Sequence, residues 1–217
     1  MGNETHWSLG VLLARQPVHA IDFFGLDAKG STVRSARGEV SKSSNADWVG
    51  FGADVLAVAD GVVRDARDGE EDHRPLEPLP EPDSLTARAL YGNFVVLEIS
   101  PHVFVHYAHL QKGSLSVHTG DRVRRGTVIG RVGHSGSAGA PHLHLHVSNI
   151  RTFEESEGIP FVFDAFGVWG AARVDQTLDR SADIQWPTAS PRRRTRELVL
   201  DGDVVQFDHL ITSGLGR

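Results

Sequence analysis

The sequence predicts a mostly β fold, an antiparallel sheet domain with long loop insertions and a short C-terminal extension. Three observations predict it. Short runs rich in Val, Ile, Phe and Tyr recur between Phe51 and Ser148, several alternating apolar and polar residues with the two-residue period of strands. Gly- and Asp-bearing turns such as Ala59-Asp60-Gly61 and Asp121 to Gly126 punctuate those runs. No stretch in this region sustains the helical period.

Taken in order, Ala28 to Trp48 is polar, rich in Ser, Lys and Arg, and reads as a loop insertion. Val55 to Val58 is a strand, Asp60-Gly61 a hairpin corner, and Gly61 to Asp65 the next strand. Arg67 to Ala87 is acidic and carries Pro75, Pro78, Pro80 and Pro82, so it is a second loop insertion. Phe94 to Ile99 and Val103 to Ala108 are strands, and Thr127 to Val132 follows the charged turn ending at Gly126. His142 to Ser148 alternates strictly, with His142, His144 and His146 on one face and Leu143, Leu145 and Val147 on the other. The composition changes after Asn149. Gly158 to Phe163 and Phe166 to Trp169 are apolar enough to pack back on the core, and Glu197 to Leu200 is one further short strand. The division expected is a domain over 1–150 and an extension over 151–217.

Composition narrows the function. The chain has 217 residues, 40% apolar and 23% charged, which suits a globular domain with its own core. A formal net charge of −6 argues against binding the nucleic-acid backbone. The basic run Arg192-Arg193-Arg194 and Arg196 reads as a solvated loop. Without cysteine there are no disulfides, thiolate metal sites or cysteine nucleophiles. No apolar run approaches the roughly 20 residues that span a bilayer. The N-terminus lacks the basic-then-apolar pattern of a signal peptide. Twelve histidines stand out, because imidazole is the commonest metal ligand and the usual acid or base near neutral pH.

Their positions carry the argument. In His142-Leu143-His144 the two imidazoles project side by side from one strand face. That suits a metal on one and a reacting group beside the other, or else a surface histidine stripe. The turn Ser135 to Pro141 sets the start of this strand at a rim. His109 ends another strand, where it faces a cleft or bonds at the surface. Asp22, wedged between Ile21 and Phe23-Phe24, is either a paired structural carboxylate or a metal ligand. His106 has the opposite strand parity to His109 and is expected to face away. His146 is expected to be structural, His134 is a candidate cleft residue, and His73, His102, His118 and His209 read as loop or surface residues.

These residues, with the segments linking them, resemble the M23 (lysostaphin/LytM-like) zinc metallopeptidases. The likeness is carried in order by Phe51 to Gly61, Tyr91-Gly92-Asn93-Phe94-Val95-Val96, Tyr107-Ala108-His109, Gly120 to Gly136 and Pro141-His142-Leu143-His144. The resemblance implies Zn²⁺ held by Asp22 and His144, with His109 and His142 as the catalytic pair that moves the proton and stabilises the oxyanion. It also implies a peptide or peptidoglycan substrate and a secreted or cell-envelope setting. One departure concerns the first ligand. The family places a histidine four residues before the aspartate, whereas His19 precedes Asp22 by three and Val18 holds the usual position. The upstream Asn3-Glu4-Thr5-His6 offers His6 instead, so His6 and His19 both stand as candidates. The alternatives are a LytM-like binding or regulatory module with a lost metal site and, more remotely, a lipoyl-type carrier. None of Lys29, Lys42 and Lys112 sits at the hairpin tip that a carrier needs.

Overall fold

Strand-forming residues alternate so regularly in this chain that one sheet face is aliphatic and the opposite face is rich in histidine. The computed structural model describes residues 11–15, 20–34, 39–78, 86–153, 156–178 and 190–207. The first strands are β1 (Val11–Arg15), β2 (Ala20–Leu26), β3 (Asp54–Leu56) and β4 (Gly61–Arg67). A one-turn helix, α1 (Ala87–Tyr91), leads into β5 (Asn93–Ser100) and β6 (Val103–Leu110). Next come β7 (Arg122–Val123), β8 (Val128–Arg131) and β9 (Leu143–Ser148). The last elements are β10 (Phe163–Ala171), α2 (Val174–Leu178), β11 (Arg192–Glu197) and β12 (Asp203–Gln206).

Among the described residues, ten strands form one antiparallel sheet in the order β11-β10-β12-β1-β2-β9-β6-β5-β4-β7, and β3 pairs with β8 in a second, two-stranded sheet. Ile21 and Phe23, Val95 and Leu97, Val105 and Tyr107, and Leu145 and Val147 line the aliphatic face. Val55 and Ile129 of the small sheet cover it, so the core lies between the two sheets. Burying such side chains stabilises by about 1.5–3 kcal/mol each. On the opposite face Tyr91, Phe94, Val96 and Ala108 form a separate small cluster beside the histidines.

The mostly β expectation holds, and several local readings change. Asp60-Gly61 is not a hairpin corner. β3 pairs with β8 and β4 with β5 and β7, so the chain passes there from one sheet to the other. Gly61 permits the passage, because a Cβ on it would lie 2.5 Å from the Glu98 carbonyl oxygen. The second insertion runs into α1, whose first residue is Ala87 and whose N-cap Thr86 Oγ1 accepts from the Ala89 N–H. The first insertion holds two single-turn 3-10 helices, Val40–Lys42 and Asn45–Asp47. Arg192 to Arg196 is not a loop but most of the edge strand β11, where exposed charge is compatible with pairing on one side only. Glu197 therefore ends a strand rather than beginning one, and β10 and β12, not expected as strands, join the sheet through β1.

Candidate active site

Cross-strand register assembles the site. Asp22 on β2 lies opposite His144 on β9, which lies opposite Ala108 on β6. One step along, Ala20, His146 and His106 form the parallel row. Side chains of one row share a face, so alternation in three separate strands delivers an aspartate and three imidazoles to one surface. The alanines at the flanks leave room for the rings.

His144 Nδ1 and Asp22 Oδ1 are 2.8 Å apart, and His142 Nε2 stands 3.6 Å from the same oxygen. Burial alone would raise the Asp22 carboxyl. The His142 and His144 imidazoles outweigh that and hold it well below the usual carboxylate range, each through hydrogen bonding and then through charge. Asp22 is therefore ionised throughout the physiological range.

His109 and His142 take their orientation from the turn between β8 and β9. His109 Nδ1–H donates to the Ser135 carbonyl at 2.9 Å, and His142 Nδ1–H donates to the Ala140 carbonyl at 2.8 Å. A carbonyl only accepts, so each bond puts a proton on Nδ1. In His109 this leaves Nε2 with a free lone pair. Burial, reinforced by the neighbouring His142 and His144, pushes His109 well below its ordinary pKa, so it is neutral at pH 7. The His142 ring stacks on Phe24 with centroids 5.0 Å apart and lies 4.7 Å from the His109 ring.

The structure thus brings together Asp22, His109, His142 and His144, while His6 and His19 lie outside the described residues. Among the described residues, no three His, Asp or Glu side chains are grouped so as to hold a metal ion. His106 does not face away. His109 adopts a left-handed backbone, φ 60°, which breaks the alternation of β6 and turns its ring onto the face that His106 already occupies. His106 is fully buried and stacks on His146 at 4.2 Å, and burial pushes it down to about 4. His134 does not line a cleft. It is fully buried, bonded to Asn45 Oδ1 and the His73 carbonyl through Nδ1 and to the Ala138 carbonyl through Nε2, where it ties the first insertion to the turn.

Sequence reasoning did not give Tyr91 a place in the site. It ends α1, is buried against Phe94, and its Oη lies 3.1 Å from His146 Nε2. The signal for it was the Tyr91-Gly92-Asn93 segment, whose other two residues also bind the site's loops together. Asn93 is fully buried, with Nδ2 donating to the Glu70 and Leu110 carbonyls and its backbone N–H donating to Ser135 Oγ.

The family model described as Peptidase family M23 matches residues 41–155. No curated protein matches the chain at a significant level. Among solved structures, the catalytic domain of an A109H mutant of the prophage-encoded M23 protein EnpA from Enterococcus faecalis is 16% identical, over 63% of this chain and 93% of that one, with a TM-score of 0.36. The catalytic domain of lysostaphin from Staphylococcus simulans is 19% identical, over 68% of this chain and 84% of that one, with a TM-score of 0.38. A zinc containing peptidase from Vibrio cholerae is 20% identical over 64% of this chain and 48% of that one, with a TM-score of 0.35.

Proposed function

The chain belongs to peptidase family M23, and from that premise we propose that it is a zinc-dependent endopeptidase cutting amide bonds in the peptide cross-links of bacterial cell walls. The observation that carries the reading is the 2.8 Å approach of Asp22 Oδ1 and His144 Nδ1, on the face where His109 and His142 have tautomers imposed by backbone carbonyls. The donor set fits zinc in its chemistry: an ionised carboxylate oxygen and an imidazole nitrogen converge on one point, the ligand types that catalytic zinc takes. Asp22 and His144 would hold the ion with a third ligand, for which His6 and His19 are the candidates. Bound zinc would acidify a water and polarise the scissile carbonyl.

The remaining work belongs to the chain's own side chains. His109 is neutral, with Nε2 unprotonated and Nδ1 committed to the Ser135 carbonyl, so it is built to take a proton from the attacking water. His142 cannot release its Nδ1–H from the Ala140 carbonyl without losing that bond. A proton on its Nε2, beside the Asp22 carboxylate, is placed for donation to the developing oxyanion or the leaving amine. The Phe24 ring stacked on His142 keeps that imidazole in plane and limits water on one side.

The proposed substrate implies work in the cell envelope. The same reading keeps residues 1–150 as the catalytic domain and 151–217 as an extension. No helix among the described residues is long and apolar enough to cross a membrane.

The test is metal content by elemental analysis beside hydrolysis of glycine-containing cross-link peptides. The wild type should carry about one zinc per chain, as catalytic sites do. His144→Ala and one of His6→Ala and His19→Ala should lose it, while His109→Ala should keep the metal and lose hydrolysis. A wild type that takes up no zinc at neutral pH would sink the enzyme reading and leave a binding module on the same scaffold.

A further inference from the structure

His144 has a second ring nitrogen, and it is not left to solvent. His144 Nε2 lies 3.2 Å from His146 Nδ1, and His146 Nε2 lies 3.1 Å from Tyr91 Oη. His146 and Tyr91 are both buried, so water is a poor substitute for either contact. The His146 ring is itself held in place. His106 stacks on it with an interplanar angle of 12°, and His106 Nε2–H is anchored on Ser148 Oγ at 2.7 Å, since that hydroxyl gives its own proton to the Ile150 carbonyl. Phe153 closes over Tyr91 edge-on at 4.9 Å.

We infer that His146 and Tyr91 are positioning residues for the metal ligand His144, the first accepting its Nε2 proton and the second accepting the proton of His146. The inference rests on the zinc reading above. It follows from counting protons. A histidine that ligates through Nδ1, the nitrogen facing Asp22, carries its proton on Nε2. That N–H requires an acceptor, and His146 Nδ1 is the atom in reach. Acting as an acceptor there puts the His146 proton on Nε2, the ring nitrogen nearer to Tyr91 Oη, at 3.1 Å against 3.5 Å for Nδ1. Each ring stays neutral with one proton, and both ring N–H groups have an acceptor within reach. Such outer partners fix the tautomer and plane of a ligand imidazole and raise its basicity. Packing alone would be served by a leucine at 146; the relay needs an acceptor where Nδ1 stands.

The full chain tests this by competition for zinc against a chelator of known affinity, in wild type, His146→Leu, His146→Asn and Tyr91→Phe. His146→Leu should weaken zinc binding on the order of 10- to 100-fold. His146→Asn, whose amide oxygen reaches the position of the ring Nδ1, should recover most of that loss, and Tyr91→Phe should lie between. Long-range ¹H–¹⁵N spectra of the zinc-loaded wild type should show both His144 and His146 protonated at Nε2. Urea unfolding of the metal-free variants separates lost folding from lost affinity. A folded His146→Leu that binds zinc as tightly as wild type overturns the inference while leaving the zinc reading intact. So does a His146 proton on Nδ1 in the loaded wild type, a measurement that needs no variant to fold. A wild type without zinc overturns both.

Discussion

Replacing Gly92 by alanine should damage stability and the site together. Gly92 joins α1 to β5 with φ 65° and ψ −127°, a conformation that only glycine adopts readily. A Cβ there would stand 2.5 Å from the Gly136 nitrogen, the Ser135 carbonyl carbon and Ser135 Oγ. Two of those contacts are backbone, so no side-chain rotation relieves them. Backbone strain of this kind costs about 1–3 kcal/mol and overpacking about 1–3 kcal/mol, so the expected loss is roughly 2–6 kcal/mol. Relief must come from moving the turn, and the Ser135 carbonyl that orients His109 moves with it. Urea unfolding of the metal-free protein, followed by tryptophan fluorescence, reads the first effect. Peptide hydrolysis by the folded, zinc-loaded variant reads the second. Gly139→Ala is the control in the same turn, because a Cβ there meets nothing within 4 Å; it should stay within about 0.5 kcal/mol. A Gly92→Ala protein that loses less than about 1 kcal/mol and keeps full activity would refute this account of the turn.

Three further outcomes follow from the same structure. Ser135→Ala should cost about 1–3 kcal/mol, because the buried Asn93 N–H loses its acceptor and the Leu110 carbonyl loses one of its donors; thermal unfolding checks it. Stability of the metal-free protein should fall as pH drops from about 6.5 towards 4. Burial holds His106 at about 4, His146 at about 2, and His109 and His134 also below their ordinary value, so the unfolded chain takes up protons that the fold refuses. Each such histidine contributes at most about 1.4 kcal/mol per pH unit, lost on the acid side. His106→Phe should flatten the slope by about one proton, and urea midpoints that rise from pH 7 to pH 5 would contradict the burial. Finally, zinc at about 100 times its Kd should stabilise the wild type by about 2.7 kcal/mol, and a chelator should reverse the gain. Asp22→Ala should show neither shift in calorimetry.

What was legible in the sequence is what strand parity dictates locally. The i, i+2 spacing of His142 and His144 put both rings on one side, and Asp22 between apolar neighbours marked a carboxylate with a reason to be there. His109 was legible only through the family likeness. Parity misassigned His106 because a single left-handed residue shifts the alternation, and nothing in Tyr107-Ala108-His109 announces a positive φ. Long-range pairing was equally hidden. The Asp60-Gly61 turn looks like a hairpin, yet Asp60 Oδ1 accepts from the backbone of Arg125, far along the chain, and the strands on its two sides enter different sheets. The arginines of β11 concealed a strand, since an edge strand needs only one bonded side and can carry charge that a central strand cannot.

The turn from Ser135 to Ala140 explains why the site tolerates such a plain construction. Its two orienting acceptors, the Ser135 and Ala140 carbonyls, are backbone atoms, so no side-chain substitution removes them and no pH change within the stable range alters them. They can fail only by displacement. What resists displacement is the contact of Gly92 against Gly136, the Asn93 bonds beneath it, and His134 clamped on the Ala138 carbonyl. The tautomers of His109 and His142 therefore depend on residues that would touch neither metal nor substrate. Substitutions at Gly92, Asn93 or His134 should lower the rate of hydrolysis more than they lower zinc affinity, because Asp22 and His144 are held by the sheet and His109 and His142 by the turn.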